Sequence, residues 1–338
     1  MNNITTIGLD LAKTIFHAVC LNQAGKIVKR KQLKRHELRR FFSQQPPCLI
    51  GMEACGSAHY WARELRAYGH TTKLIPAQYV KGFVRGNKND YNDALAIAEA
   101  VKQAEMRFVA VKTPQQQDVQ AMHRLRQQRI KERTALSNQL RGLLMEYGIV
   151  MTRGVNELRR RIPVILDDEK NGLTALFRQL LRQGYMQLLE LDTHINTYTK
   201  ILTAHSKQDD RCQRLQTIPG YGPIVASVFA STMGNTREYK RGRDASAALG
   251  VVPRQHSTGG QRVLLGISKR GDKYLRSLII HGARAVVRSA QNKDDNLSRW
   301  VNRIRAERGY NKATVALANK MVRMGWAVLH YGTTYRPA

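Results

Sequence analysis

Asp10, Glu53, Asp90 and Asp93 are the residues whose types and spacing point to chemistry in this chain. Asp90 and Asp93 are three apart in a helical pattern, so their carboxylates stack on one helix face. Asp10 follows the apolar run Ile7-Gly8-Leu9 and Glu53 closes the run CLIGM, so both stand at the ends of short strands. The chain carries 56 Lys plus Arg against 25 Asp plus Glu, a formal net charge of +31. Clustered acids there repel the same polyanion that the cations attract, unless they hold metal. Hard carboxylate oxygens bind Mg²⁺, and two ions about 3.5–4 Å apart can activate an attacking oxygen and stabilise a leaving one on phosphorus. A plainer alternative makes Asp90 a helix cap, Asp93 a partner of the helix dipole, and Asp10 and Glu53 solvated strand ends. Asn87, Lys88 and Asn89 offer polar contacts just before the helix.

Two further segments carry chemistry. In LQTIPGYGPIVASVFASTMG, the hairpin Ile218-Pro219-Gly220-Tyr221-Gly222 lies between apolar helical patterns and resembles a helix-hairpin-helix motif. Gly220 and Gly222 would let backbone N–H groups approach a phosphate without reading sequence. In PRQHSTGGQRVLLGISKRGDKYLR, the residues Ser257, Thr258, Gly259 and Gly260 read as a flexible hydroxyl-bearing loop among Arg254, Arg262, Lys269, Arg270 and Arg276. A serine among guanidinium groups can attack a phosphodiester because the cations stabilise the transition state. The same residues are also ordinary turn formers. His256 stands where it can move a proton, although a lone histidine more often serves structure.

These groups need scaffolding, and 338 residues with 42% apolar content provide enough for two or three folded domains. The basic balance makes nucleic acid the expected partner, ahead of a membrane surface. Cys20, Cys48, Cys55 and Cys212 are widely spaced, so neither a disulfide framework nor a zinc knuckle is expected. A cytoplasmic protein is the expectation, because the start lacks signal-peptide character and no apolar run reaches membrane-span length.

The run from Thr5 to Cys20 reads as two strands, and a turn at Asn22 to Gly25 leads to a third near Lys26 to Leu33. A short basic helix near His36 to Phe42, the strand ending at Glu53, a helix near Ala58 to Tyr68, a strand Thr72 to Ile75 and a helix from Asn89 to Lys102 follow. Three antiparallel strands and then alternating helices and strands make an RNase H-like α/β order. Thr113-Pro114 opens a long helix through Leu136, Leu140, Leu143 and Tyr147. A linker near Gly148 to Gly154 breaks it. A second long helix after Gly172 carries Leu173, Phe177, Leu180, Gly184, Leu188, Leu191, Ile195 and Leu202 in a coiled-coil seam. That seam packs either on the first helix or on another subunit. A mainly helical C-terminal domain follows, with helices near Asp272 to Arg288 and Asn311 to Leu329. The expected domains are 1–110, 111–208 and 209–338.

The segments IGLDLAK, GMEACGS, NKNDYNDALAIAEA, TIPGYGP and PRQHSTGG through GISKRGDKYLRSLIIHGARA together resemble the insertion sequence one-ten family of transposases across most of the chain. The resemblance implies a RuvC-type, RNase H-fold domain whose acidic tetrad falls on Asp10, Glu53, Asp90 and Asp93. It also implies a coiled-coil region and a C-terminal domain with a nucleophilic serine. The implied activity is Mg²⁺-dependent cut-and-rejoin recombination of donor and target DNA, directed by a structured noncoding guide RNA. Dimers and tetramers that compose active sites from different subunits are implied as well, and so is a place near the nucleoid. Some relatives carry serine directly before glycine, where this chain has Thr258. Ser257 is the expected nucleophile and Thr258 the alternative, because a threonine hydroxyl is more crowded.

Overall fold

The computed structural model describes residues 3–87 and 89–337, which form two compact units, Met1–Pro114 and Gln115–Ala338. Lys88, expected to touch nucleic acid, lies outside the described residues.

The first unit is a five-stranded sheet with helices on both faces. Its elements are β1 (Thr6–Asp10), β2 (Ile15–Leu21), β3 (Ile27–Lys34), α1 (Glu37–Ser43), β4 (Leu49–Glu53), α2 (Ala58–Ala67), β5 (Thr71–Ile75), α3 (Ala77–Val80) and α4 (Asp90–Ala100). The strand order is β3-β2-β1-β4-β5. β1, β2 and β3 pair antiparallel, while β4 runs parallel to both β1 and β5. This mixed α/β sheet has the order of strands and helices expected of the first domain.

Strand alternation divides the sheet into two cores. Ile7, Leu9, Phe16, Ala18, Cys20, Ile50 and Met52 pack with Leu38, Phe42, Trp61 and Leu65 of α1 and α2. Each such large apolar side chain contributes about 1.5–3 kcal/mol through burial. Val19 and Leu21 face the other way, onto Ala94 and Ala98 of α4. Because both faces are covered, β1 reads in sequence as an unbroken apolar run rather than an alternating one.

The second unit contains α5 (Pro114–Met145), α6 (Val155–Asp167), α7 (Ala175–Gln208), α8 (Asp210–Gln216), α9 (Pro223–Met233), α10 (Gly242–Leu249), β6 (Pro253–Thr258), β7 (Gln261–Ile267), α11 (Lys273–Ser289), α12 (Asn296–Arg308) and α13 (Tyr310–Tyr331). Leu140 and Leu144 of α5, Leu158 and Ile162 of α6, and Phe177, Leu181 and Leu188 of α7 share one core within the chain. Asp192 ties the three helices together by pairing with Arg133 at 2.9 Å and Arg159 at 2.6 Å. Leu180, expected in the seam, and Leu143, expected on the apolar pattern of the first long helix, instead stand 52% and 43% exposed. α6 does not follow from the sequence pattern, because Pro163 interrupts its interior. Its apolar face, Leu158, Ile162 and Ile165, is nevertheless buried.

The expected loop at Ser257 is corrected by the structure. Ser257 and Thr258 belong to strand β6, and Gly259-Gly260 alone make the turn to β7. Both glycines have positive φ, +56° and +81°, which a two-residue hairpin turn of the primed type requires.

Candidate active site

Strand register and one close approach bring Asp10 near Asp90, and bring Glu53 and Asp93 near enough for their charges to act on Asp10. Asp10 ends β1 beside the parallel strand β4, where Gly8 pairs with Gly51 and Leu9 with Met52. Glu53 is the next residue of β4, two beyond Gly51, so Asp10 and Glu53 emerge on the face that carries Gly8 and Gly51. That face is covered by α4. A Cβ on Gly8 would stand 2.0 Å from the Ala94 carbonyl oxygen and 2.5 Å from the Ala98 nitrogen, and one on Gly51 would stand 2.8 Å from Val101 Cβ. Only glycine lets the helix lie this close to the strands. Its N-terminal turn then brings Asp90 and Asp93 to the same sheet edge.

Neither helix acid is a cap. Asn89 caps α4, its side-chain oxygen accepting from the Tyr91 N–H at 2.9 Å, which leaves the Asp90 and Asp93 carboxylates free of that duty. Asp10 titrates above its ordinary value. Burial is the largest cause, followed by the negative charges of Asp93, Asp90 and Glu53, while His17 acts in the opposite direction. Among the described residues, no lysine or arginine pairs with any of the four carboxylates. In so basic a chain this leaves a pocket of negative potential whose oxygen donors fit a hard divalent cation.

His17 was not foreseen from the sequence. It lies opposite Asp10 in the β1–β2 register, and its Nδ1 stands 3.5 Å from Asp90 Oδ2. Ligand atoms of Asp10, His17 and Asp90 all fall within 4.8 Å of one another. The signal was the hairpin register, which cannot be counted until the β1–β2 connection is known. A second group, His205, Asp209 and Cys212, is similarly close. There Arg211 holds both Asp209 oxygens, at 3.1 and 2.7 Å, and burial pushes the Cys212 thiol up to about 12. That group serves the α7–α8 junction.

In the second unit Ser257 and Thr258 are exposed, and the Ser257 hydroxyl accepts from Gln255 Nε2 at 2.8 Å. Ser257 pairs across the hairpin with Arg262, so the two side chains share a face, whereas Thr258 pairs with Gln261. Arg254, Arg262, Lys269 and Arg270 are exposed. Arg276, expected among the nucleic-acid contacts, is different. It is 8% exposed, and its guanidinium donates to the carbonyls of Leu249 at 3.0 Å and Arg270 at 2.7 Å. This cation holds a turn inside the fold rather than presenting itself to a phosphate.

Gly220 has φ +89°, and a Cβ there would stand 2.9 Å from the Gly282 carbonyl oxygen and 2.8 Å from Met321 Cε. Close packing against α11 and α13 therefore accounts for this glycine. The exposed Gly222 sits at the start of α9, with Pro223 in its first turn. Tyr221, between the two glycines, is buried and donates its hydroxyl to the Met321 carbonyl at 3.1 Å.

The mixed α/β sheet of the first unit fits a DEDD nuclease-like domain. The DEDD transposase family of IS110 elements matches residues 7–149, and the description "Transposase IS116/IS110/IS902 family" matches residues 212–298. The chain is 49% identical over 336 residues to the Pseudomonas aeruginosa protein named "Probable family 20 transposase", covering 99% of both chains. It is 46% identical over 338 residues to the transposase for insertion sequence element IS1111A of Coxiella burnetii, covering 99% of this chain and 92% of that one. Against the transposase for insertion sequence element IS1328 of Yersinia enterocolitica, identity is 40% over 335 residues and 99% of each chain. The chain belongs to the IS116/IS110/IS902 family of transposases, enzymes that cleave and transfer DNA strands.

Proposed function

We propose that this transposase is an RNA-guided DNA recombinase that excises and inserts its element through Mg²⁺-dependent cleavage and serine-mediated strand exchange. The observation that carries the cleavage half is the closeness of Asp10 to Asp90, with Asp93 and Glu53 near enough for their charges to act on Asp10, and with no lysine or arginine paired to any of the four among the described residues. These four would hold Mg²⁺, two ions in the two-metal arrangement, and the bound cations would supply electrostatic stabilisation of charge on the phosphate. Asp10 and Glu53 are fixed by the sheet and Asp90 and Asp93 by the helix, so the donors are preorganised rather than gathered at the moment of reaction.

Ser257 is the proposed nucleophile. Its oxygen bonds to phosphorus, the bridging bond to the leaving strand breaks, and the departing oxygen takes up a proton. Attack by the hydroxyl of a new strand reverses the exchange and releases the serine, so the phosphodiester is rebuilt without an external energy source. Ser257 is favoured over Thr258 because it shares its hairpin face with Arg262, a cation suited to the transition-state charge. Arg254, Lys269 and Arg270, with the backbone near Gly222, would follow DNA phosphates. Donor and target DNA, a structured noncoding RNA and further copies of the chain are the proposed partners. Specificity would rest on base pairing rather than side-chain readout. No helix among the described residues is long and apolar enough to cross a membrane.

A hydrolytic junction endonuclease, with water as nucleophile, is the second reading. It is favoured by the exposure of Ser257, whose hydroxyl meets Gln255 rather than a base. Trapping a protein–DNA adduct separates the two readings. The adduct is expected to vanish in Ser257→Ala and persist in Thr258→Ala, and free ends with no adduct in the parent protein would establish hydrolysis. Sequencing copurified RNA and assaying strand transfer with Mg²⁺ or chelator tests guidance. Random RNA whose removal changes nothing would defeat it.

A further inference from the structure

We propose that His17 is a nitrogen ligand of the cation site, so that one ion is held by mixed carboxylate and imidazole donors. This inference rests on the reading of the acids as a metal site and deepens it.

Three observations carry it. First, His17 is the cross-strand partner of Asp10, so the two side chains leave β1 and β2 on the same face and side by side. Second, the His17 side chain is 11% exposed and makes no hydrogen bond among the described residues, so its ring nitrogens are open to solvent or to an ion. Tyr91 packs edge-on against the ring at 4.8 Å and 80°, which fixes its plane. Third, the 3.5 Å between Nδ1 and Asp90 Oδ2 exceeds the roughly 2.7–2.9 Å of a charge-assisted hydrogen bond. Neighbouring ligands on an octahedral ion stand about 3 Å apart when each bond is near 2.1 Å. A sub-ångström movement would close the gap onto a shared cation, and Asp10 is within reach of the same point.

The donor set has a chemical consequence. Mg²⁺ favours all-oxygen surroundings, whereas first-row divalent ions accept imidazole. The site should therefore hold Mn²⁺ more tightly than Mg²⁺, and His17→Asp, which restores an oxygen donor, should narrow that preference.

The test uses the full-length protein with Mn²⁺ as the probe and pulsed electron paramagnetic resonance as the readout. Bound Mn²⁺ is expected to show hyperfine coupling to a ¹⁴N nucleus. The coupling should convert to ¹⁵N when the protein is grown with ¹⁵N-histidine, a measurement that needs no variant. In His17→Gln the coupling should vanish while Mn²⁺ still binds, with affinity lowered about tenfold or more. Bound Mn²⁺ with no histidine coupling, or coupling that survives His17→Gln, overturns the assignment of His17 and leaves the acids as an oxygen-only site. Folded parent protein that binds no Mn²⁺, or binding indifferent to Asp10→Asn, overturns the metal reading itself and His17 with it.

Discussion

Replacing Gly8 with alanine should disable the site without touching a carboxylate. The added Cβ would sit 2.0 Å from the Ala94 carbonyl oxygen and 2.5 Å from the Ala98 nitrogen, where ordinary contact begins at 3.4 Å. Backbone atoms of a packed helix cannot rotate away as a side-chain tip can, so α4 must retreat by roughly 1 Å or more. Asp90 and Asp93 ride on its first turn, whereas Asp10 and Glu53 stay on the sheet. A 1 Å misplacement of reacting groups can cost about 100-fold in rate, and overpacking costs about 1–3 kcal/mol in stability. The expected result for Gly8→Ala is a folded protein, destabilised in denaturant titration, with divalent-ion binding and metal-dependent strand cleavage both reduced about 100-fold. Gly82→Ala is the control, because a Cβ there meets nothing within 4 Å. If Gly8→Ala loses stability as expected yet binds metal and cleaves within threefold of the parent, the helix does not compose the site and the reasoning fails.

Arg276→Ala should lower stability by about 2–4 kcal/mol, because two carbonyls near it lose their donor, while leaving the salt dependence of DNA binding intact. Arg262→Ala should do the reverse, weakening DNA binding and reducing the slope of log affinity against log salt by about 1, as read from binding isotherms at several salt concentrations. His123 is enclosed between Tyr274, whose hydroxyl is 3.2 Å from Nδ1, and Ser227, whose hydroxyl is 3.0 Å from Nε2, and burial pushes its imidazole down from 6.5 to about 4. Between those values the unfolded chain binds the proton that the fold excludes, so its stabilising contribution is complete above pH 6.5 and is lost as pH falls toward 4. The loss amounts to about 3 kcal/mol. Denaturant unfolding from pH 7 to pH 4 should show this slope in the parent and a flatter one in His123→Gln, and an equal slope in both would exclude His123 as its source.

The four acids were legible in the sequence because each follows a pattern that local physics enforces. Apolar runs bounded by turns make strands, and a three-residue spacing on a helix fixes which carboxylates stack. Residue type and net charge together made metal the natural counterweight. Other features depended on what the chain meets after folding. His17 acquires meaning only through its pairing with Asp10, which the hairpin register decides. Arg276 reads as one more surface cation until α11 folds it back onto the Leu249 and Arg270 carbonyls. The Ser-Thr-Gly-Gly segment is compatible with a loose loop or a tight hairpin, and strand pairing between β6 and β7 selects the hairpin. Sequence alone therefore determined the chemical groups and the elements that carry them, because those follow from composition and short-range periodicity. Tertiary structure decided which groups face one another, because burial and cross-strand neighbours arise from contacts between residues far apart in the chain.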